Sequence, residues 1–589
     1  MVVPVRVWAP NATLVELDVD GERTALTPES WNSESNGWWT HPEPLAAGTD
    51  YAFVVDGNGP FPDPRSAHQP HGVHGPSQVF DANAHAWQDQ RWTGREVCGA
   101  VLYELHVGTF TPVGTLEGAI DKRDHLAALG VERVQLMPLA AFPGERGWGY
   151  DGVALYAVHE AYGGPAALQR FVDAAHERGL AVALDVVYNH LGPSGNYLSQ
   201  FGPYFTDVHH TPWGEAVNLD QPGSHEVRAF IVENALRWLR DFHLDGLRLD
   251  AVHELRDSSP VHVLADLSAA VADLAERVGR PLSLIAESDL NDAAMVTPLA
   301  EGGLGMTAQW DDDIHHSLHA FLTGERHGYY ADFGSLATLA AAWQDVFVHN
   351  GSFSSFRGQV WGAPVPERVD RRRFVVSTST HDQVGNRGLG DRPTVSLTPG
   401  QSAIGAALLL TAPFTPMFFM GEEWGARTPF QFFTDLDDPD LAIAIREGRQ
   451  REFGEHGWDA IYGGDVESPD PQAASTFAAS RLDWSEQEQP EQARHLAWVR
   501  ELLALRRRYP ELSDGDASAL EVTFDEAAGT LVLRRGSLAV VVNAADAAQR
   551  VPVAGLGTAT EVLASWARLE RVVSDAVDLA GHDVVIVAL

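Results

Sequence analysis

Cysteine is almost missing from this chain. Its 589 residues include one, Cys98, so no internal disulfide and no multi-cysteine metal cluster can form. Lysine is scarce too, and the formal net charge is −40. Such a charge repels a phosphate backbone and an anionic membrane surface alike, which argues against nucleic-acid and membrane partners. Long apolar spans are also lacking. The longest run, Ala403 to Met420, is broken by Gly405, Pro413 and Pro416 and reads as a buried helix followed by a buried strand. The stretch Met1–Trp8 has no basic segment leading into an apolar one. It reads as a strand rather than a signal peptide, and a soluble, cytoplasmic protein is expected. There is no G-x-G-x-x-G loop after the first strand and no Walker-type loop, so no nucleotide or redox cofactor is expected.

What is present is ample apolar material, 44% of the chain, with 17 tryptophans. That composition excludes global disorder. Residues 1–95 alternate as strands do: Val5 and Val7 flank Arg6, and Val15, Leu17 and Val19 alternate with Glu16 and Asp18. Asp20-Gly21 is a hairpin signal, and the spacing fits a small β-sandwich. From Val101 the pattern changes to short apolar runs alternating with helical periods. Eight runs qualify as strands: 101–110, 131–139, 181–189, 244–252, 282–289, 306–311, 374–382 and 417–424. Helices fit between them at 166–179, closed by Gly179, and at 225–243, with Ser224 as cap; Pro260 suits the first turn of the next. The expectation is an α/β fold, a (β/α)8 TIM barrel over residues 96–512. Excursions follow the third strand at about 190–222 and the sixth at 324–373. Residues 513–589 return to β alternation, an antiparallel C-terminal domain.

Catalytic groups of such barrels sit at the C-terminal ends of strands. Here four runs end in charged or imidazole residues: Asp185-Val-Val-Tyr-Asn-His190, Arg248-Leu-Asp250-Ala-Val-His253-Glu254, Glu287-Ser-Asp289 and His381-Asp382. A strand end often carries a polar cap, but four converging on one mouth point to chemistry. Metal binding is poorly served. There is no H-E-x-x-H pair, the triplet His315, His316 and His319 reads as a polar helix start, and His68, His71 and His74 read as loop residues, so no metal site is expected. Glycosidic cleavage fits better, because it needs one ionised carboxylate and one carboxylic acid. Arg248 and Asp250, two apart on a strand, face the same way, and the arginine favours the ionised carboxylate. Glu287 follows an apolar run, and partial desolvation would keep it protonated. Asp382 supplies a third carboxylate.

These motifs resemble, in order and spacing, the four conserved regions of the α-amylase superfamily (glycoside hydrolase family 13). The resemblance implies a retaining glycosidase with Asp250 as nucleophile, Glu287 as acid/base and Asp382 as the residue holding the sugar in the −1 subsite. It implies that His190, Arg248 and His381 line that subsite and that Tyr150, in Trp148-Gly-Tyr-Asp151, stacks on the sugar. Thr380 stands where the superfamily usually has Asn. Tyr103-Glu-Leu-His-Val-Gly-Thr-Phe110 resembles both branching enzymes and trehalose-releasing hydrolases of this superfamily, and Asp63-Pro-Arg-Ser66, Gln309-Trp-Asp-Asp312 and Pro429-Phe-Gln-Phe-Phe-Thr434 are similar to the latter in particular. Maltooligosyl trehalose and α-1,4-glucans are then the implied substrates, with His253, Glu254, Trp310 and Asp311 as candidates for the plus side. Glycogen-branching enzymes share the scaffold and are the alternative, and a non-catalytic carbohydrate-binding protein is the alternative of another class. Relatives that bind calcium do so through a large third-strand excursion; 190–222 is short, so the resemblance implies no required ion.

Overall fold

The structure, a computed structural model, describes residues 2–29, 37–456, 462, 467–553, 557–569 and 575–589. The N-terminal strands form small antiparallel sheets. Val15–Val19 pairs with Glu22–Ala25 on one side and Asp50–Val55 on the other. The turn between the first two is Asp20-Gly21, both at positive φ (53° and 83°), the geometry whose twist suits a two-residue hairpin. A second sheet joins Arg6–Trp8, Trp38–Thr40 and Thr27–Pro28. Val7, Trp8, Val15, Leu17 and Phe53 are buried in the shared core.

Eight parallel strands close the barrel. They are β1 (Leu102–Leu105), β2 (Arg133–Leu136), β3 (Ala181–Val186), β4 (Gly246–Leu249), β5 (Ser283–Ala286), β6 (Ala308–Trp310), β7 (Phe374–Ser377) and β8 (Thr415–Phe419). Each expected run contributes one strand; Asp185 and Arg248 lie in the last residues of β3 and β4, whereas His190, Asp250, Glu287, His381 and Asp382 follow the strands. The latter group therefore lies in the first loop positions above the barrel. The interior is packed by Leu102, Ile285, Ala308, Trp310, Val375 and Met417. Arg133 crosses its floor, donating from Nη1 to Ser283 Oγ at 2.9 Å. A Cβ on Gly246 would stand 2.7 Å from that Nη1 and 2.3 Å from Ser283 Oγ, so only glycine fits there.

The helices pack outside. Helix α1 (Gly164–Glu177) is followed by Gly179 at φ 73°, the left-handed residue its sequence suggested. Helix α2 (Ser224–Asp241) takes Gly223, not Ser224, at its cap position. Helix α3 (Val263–Val278) begins three residues beyond Pro260. Asp257 decides that start: its carboxylate accepts from Val263 N at 2.7 Å and from Arg228 Nη1 at 2.6 Å, which holds Ser259–His262 outside the helix. Next come α4 (Asp312–Thr323), α5 (Leu336–Asp345), α6 (Pro399–Thr411), α7 (Pro439–His456) and α8 (Pro490–Arg508). The apolar run 403–420 is thus α6 running into β8. The excursion after β3 holds a short helix, Leu198–Phe201, and a hairpin, Phe205–Thr211 with Gly214–Val217. Beyond α8, Leu520–Asp525, Thr530–Arg535, Leu538–Asn543, Asp583–Ala588 and Glu561–Ser565 form an antiparallel sheet in that spatial order. No helix among the described residues is long and apolar enough to cross a membrane.

Candidate active site

The loops above the C-terminal ends of the strands enclose a cavity of about 840 Å³. Tyr150, His190, Asp250, His253, Glu287, His381 and Asp382 all line it. Its centre is built on Arg248, which is fully buried on β4. Arg248 Nη1 donates to both oxygens of Asp185 (2.9 and 2.8 Å) and to Asp250 Oδ1 (2.9 Å). Nη2 lies 2.9 Å from Glu287 Oε2, within ion-pair range, but its N–H bonds are not aimed along that line and it makes no hydrogen bond. The Trp310 ring lies 4.3 Å from the guanidinium carbon, a cation–π floor that restrains the group from below.

The two carboxyl groups beside Arg248 are driven apart in acidity. Burial pushes Asp250 up, but the Arg248 charge, a hydrogen bond from Asn189 Nδ2 to Oδ2 (2.9 Å) and His190 outweigh it and hold it below the usual carboxylate range. Burial also pushes Glu287 up; Arg248 opposes this, but the negative charges of Asp250 and Asp382 add to it, and its pKa ends well above the ordinary value. One group is thus pushed toward the anion and its neighbour toward the acid, the division of labour that bond cleavage with acid assistance requires. The backbone joins them. Ala251, next to Asp250, sits at φ 39°, a conformation that costs a non-glycine residue about 1–3 kcal/mol. In that pose its N–H reaches Glu287 Oε2 at 2.8 Å.

Tyr150 and His381 close the other side. Tyr150 Oη donates to Asp185 Oδ2 at 2.7 Å and lies 2.8 Å from His381 Nε2. Trp148 packs edge-on to His381 and donates from Nε1 to Gln431 O at 3.0 Å. A Cβ on Gly385 would stand 2.1 Å from the Trp148 ring, so glycine at this position admits the indole. Asn386 Nδ2 donates to Asp382 Oδ1 at 2.7 Å. Thr380 caps the short helix His381–Gly385, its Oγ1 accepting from Asp382 N at 3.2 Å. The cap asks for a short side-chain oxygen, which threonine provides as asparagine would.

The remaining candidates separate. His253 faces the cavity, with Nε2 3.8 Å from Asp289 Oδ1. Glu254 is buried and pairs with Arg256 at 2.9 Å. Trp310 lies beneath Arg248, and Asp311 Oδ1 caps α4 by accepting from Ile314 N at 3.2 Å; both belong to the scaffold. His315 and His316 place their Nδ1 atoms 3.0 Å apart, while His319 pairs with Glu325 at 2.7 Å. Among the described residues no group of three or more His, Cys, Asp or Glu is arranged to hold a metal ion.

Sequence reasoning overlooked several contributors. Asp185 was visible in its motif, but its place under both Arg248 and Tyr150 was not. Glu104, buried on β1, accepts from the His381 backbone and ring. Trp213, on the hairpin of the excursion after β3, is 53% exposed and stacks on His190 at 4.3 Å. Leu441 and Ile445 reach the cavity from α7. Glu104 follows Tyr103 in an apolar run, and a lone acidic residue inside a strand pattern was the available signal. Trp213 carried no such signal, because its loop has no period.

A family model described as alpha amylase, catalytic domain, matches residues 76–205. A protein of Arthrobacter ramosus named malto-oligosyltrehalose trehalohydrolase is 53% identical over 91% of this chain and 92% of its own length. A relative of the same name from Mycobacterium tuberculosis is 49% identical over 95% of both. The crystal structure of a protein assigned as an alpha amylase from Salmonella typhimurium superposes with a TM-score of 0.88 at 37% identity, covering 100% of this chain and 97% of that one. A pullulanase from Anoxybacillus in complex with maltotetraose shares the fold alone, with TM-score 0.73 and 17% identity over 99% of this chain and 86% of its own.

Proposed function

This chain belongs to the malto-oligosyltrehalose trehalohydrolase family, and from that premise we propose how its cleft performs the reaction. The protein is a retaining glycoside hydrolase. It cleaves the α-1,4 bond next to the terminal trehalose of maltooligosyl trehalose and releases trehalose and a malto-oligosaccharide. The carrying observation is the pair of carboxyl groups on one guanidinium, Asp250 on Nη1 and Glu287 beside Nη2, with their acidities pushed in opposite directions.

Asp250 attacks the anomeric carbon of the sugar in the −1 position while Glu287 protonates the departing O4. Glu287, now an anion, deprotonates a water, which releases the malto-oligosaccharide with net retention. A pair of this kind works at a carboxyl separation of about 5–5.5 Å. Arg248 holds Asp250 as the anion that the first step needs. Asp382 binds hydroxyls of the same sugar. Tyr150, His190 and His381 wall the −1 subsite, and the Trp148 and Tyr150 rings give sugar faces an apolar surface. His253 sits on the cavity wall beside Asp289, on the side assigned to trehalose; Glu254 acts there by setting Arg256. The maltooligosyl chain fills the minus side.

The chain divides in this reading into 1–95, a carbohydrate-binding-module-like sandwich, 96–512, the catalytic barrel, and 513–589, a C-terminal sheet. A cytoplasmic setting suits a protein whose single cysteine leaves no disulfide to form. The test is incubation of the purified chain with maltooligosyl trehalose and separation of the products. Free trehalose is expected. New α-1,6 branches on a linear glucan, without trehalose, would instead make it a branching transferase.

A further inference from the structure

An unbroken line of contacts runs beneath the cleft from β1 to the nucleophile. Glu104, on β1 with its side chain turned into the barrel, is fully buried. It grips His381 twice: Oε2 accepts from the backbone N at 2.9 Å, and Oε1 lies 2.7 Å from Nδ1. His381 Nε2 is 2.8 Å from Tyr150 Oη, Tyr150 Oη is 2.7 Å from Asp185 Oδ2, and Asp185 shares Arg248 Nη1 with Asp250.

The protons on this line are not free to sit anywhere. With Asp185 ionised, its contact to Tyr150 requires the phenol to donate. The phenol has one proton, so its contact to His381 must be one in which Nε2–H donates. Nδ1 already faces a carboxylate and must donate as well. Both ring nitrogens then carry hydrogen, and the ring is an imidazolium. A neutral ring would leave Nε2 competing with Asp185 for the Tyr150 proton.

We propose that Glu104 is a positioning residue that holds His381 as the imidazolium, and through it fixes the direction of the Tyr150 hydroxyl and ring beside the −1 subsite. This rests on the reading of His381 and Tyr150 as walls of that subsite. The surrounding charges agree. Burial alone would lower the His381 pKa, but Glu104 from β1 and Asp382 from its own turn outweigh it, against Arg248 on β4, and raise it to about 9. Facing the ring from other elements are Tyr150 and Trp148 of the loop after β2, Trp310 of β6 and Asp185 of β3. His106, after β1, is held neutral by burial, its pKa lowered to about 3.

Glu104→Gln in the full chain tests this with two readouts. The first is ¹⁵N-histidine NMR, the His381 signal being identified by its loss in His381→Gln. In the parent chain that ring stays doubly protonated through neutral pH. In Glu104→Gln its titration falls below about pH 6.5, as expected for a buried imidazole without its carboxylate. The second is the pH profile of trehalose release. Turnover at pH 7 drops roughly 10- to 100-fold through misplacement of the Tyr150 side, and part of it returns as pH falls toward about 6, where His381 is being protonated again while Asp185 is still partly ionised. Glu104→Asp keeps the charge and keeps the parent's pH profile at a reduced rate, and it stands in for Glu104→Gln if that variant fails to fold. A neutral His381 at pH 7 in the parent, or a pH-independent loss in Glu104→Gln, overturns the proposal. The NMR readout needs no turnover, so it stands whether or not the substrate is the one assigned above.

Discussion

Strand β4 has an aspartate beyond each end, Asp245 buried and Asp250 facing the cleft, and the two are treated differently. Asp245, just below the strand, has both oxygens filled. Oδ1 accepts from Trp92 Nε1 and Arg280 Nη1, each at 2.7 Å, and Oδ2 from Val182 N and His176 Nε2, each at 2.9 Å. His176 in turn pairs with Asp89 through Nδ1 at 3.0 Å, under the stacked ring of Trp92. Five residues on, at the mouth, Asp250 shares one arginine with Asp185 and Glu287, and that arginine leaves Nε and Nη2 without a hydrogen bond. A filled network makes burial of charge tolerable and fixes one packing. A partly filled one keeps groups ready to bond something else, at a cost in stability. The base fastens the segment after the N-terminal sandwich to the barrel, and the mouth waits for substrate.

The largest expected effect separates these roles. Glu287→Gln should cut turnover by about 10²–10⁴-fold, the range for loss of a general acid/base, with unfolding midpoints equal to or above the parent's. Asp245→Asn should do the reverse. Breaking a buried charge pair costs about 3–5 kcal/mol, so its melting temperature falls sharply while turnover per folded molecule persists. Trehalose release and thermal melts on both variants check the contrast. Equal melts for Asp245→Asn and the parent would break it.

The second effect is in pH. At the base, burial raises Asp245, but His176, Arg280 and Arg133 outweigh it and its pKa is lowered; Asp89 is lowered likewise by His176 and His243. Their stabilisation is complete above the ordinary carboxylate pKa of about 3.9 and is lost as pH falls through the lower folded values. His176 is lowered by burial but raised on balance by Asp245 and Asp89. Its share is complete below about pH 6.5 and is lost as pH rises through its folded pKa. The base is therefore firmest between about pH 4 and 6.5. At the mouth, burial raises Glu287 and pushes Asp185 up to about 6. Both favour the protonated folded form, so stability is lost there as pH rises. The two ends thus both weaken the fold on the alkaline side. Melts from pH 5 to 9 should slope downward in the parent and less steeply in Glu287→Gln. Identical slopes would mean that Glu287 is not held protonated.

Much of this was legible in sequence, for physical reasons. Parallel strands buried on both faces announce themselves as short apolar runs, so all eight barrel strands were readable. Asp250, Glu287 and Asp382 follow such runs, and the rule that chemistry sits above the C-terminal ends picked these three from 81 acidic residues. Helix starts were less legible. Ser224 and Pro260 are good cap and first-turn residues, but Gly223 and His262 stand at the cap positions, and the bond from Arg228 to Asp257, far apart in sequence, keeps Pro260 out of its helix. Glu104 acts across the barrel on His381, far along the chain, and Trp213 folds back on His190 within a loop without a period; no local pattern encodes either. Asp245 and Asp250 look alike in the string; only the direction of the barrel tells the fastener at its base from the aspartate that lines the cleft.

The smallest effect concerns Thr380, where both ends of the comparison meet in one residue. Its hydroxyl is a structural cap, yet the amide it holds belongs to Asp382, which lines the cleft. Loss of a side-chain cap costs about 0.5–2 kcal/mol, and Thr380→Ala should fall in that range. If the cap serves only the fold, turnover at a temperature where the variant is fully folded stays at the parent's value. If the cap also aims Asp382, KM rises a few-fold while the pH profile is unchanged, since no titrating group is touched. Thr380→Asn, which restores a capping oxygen of different reach, should recover the melting temperature in either case. Recovery of KM as well would show that a capping oxygen of either side chain is enough to place Asp382, and failure to recover it would show that the threonine geometry itself sets the −1 subsite.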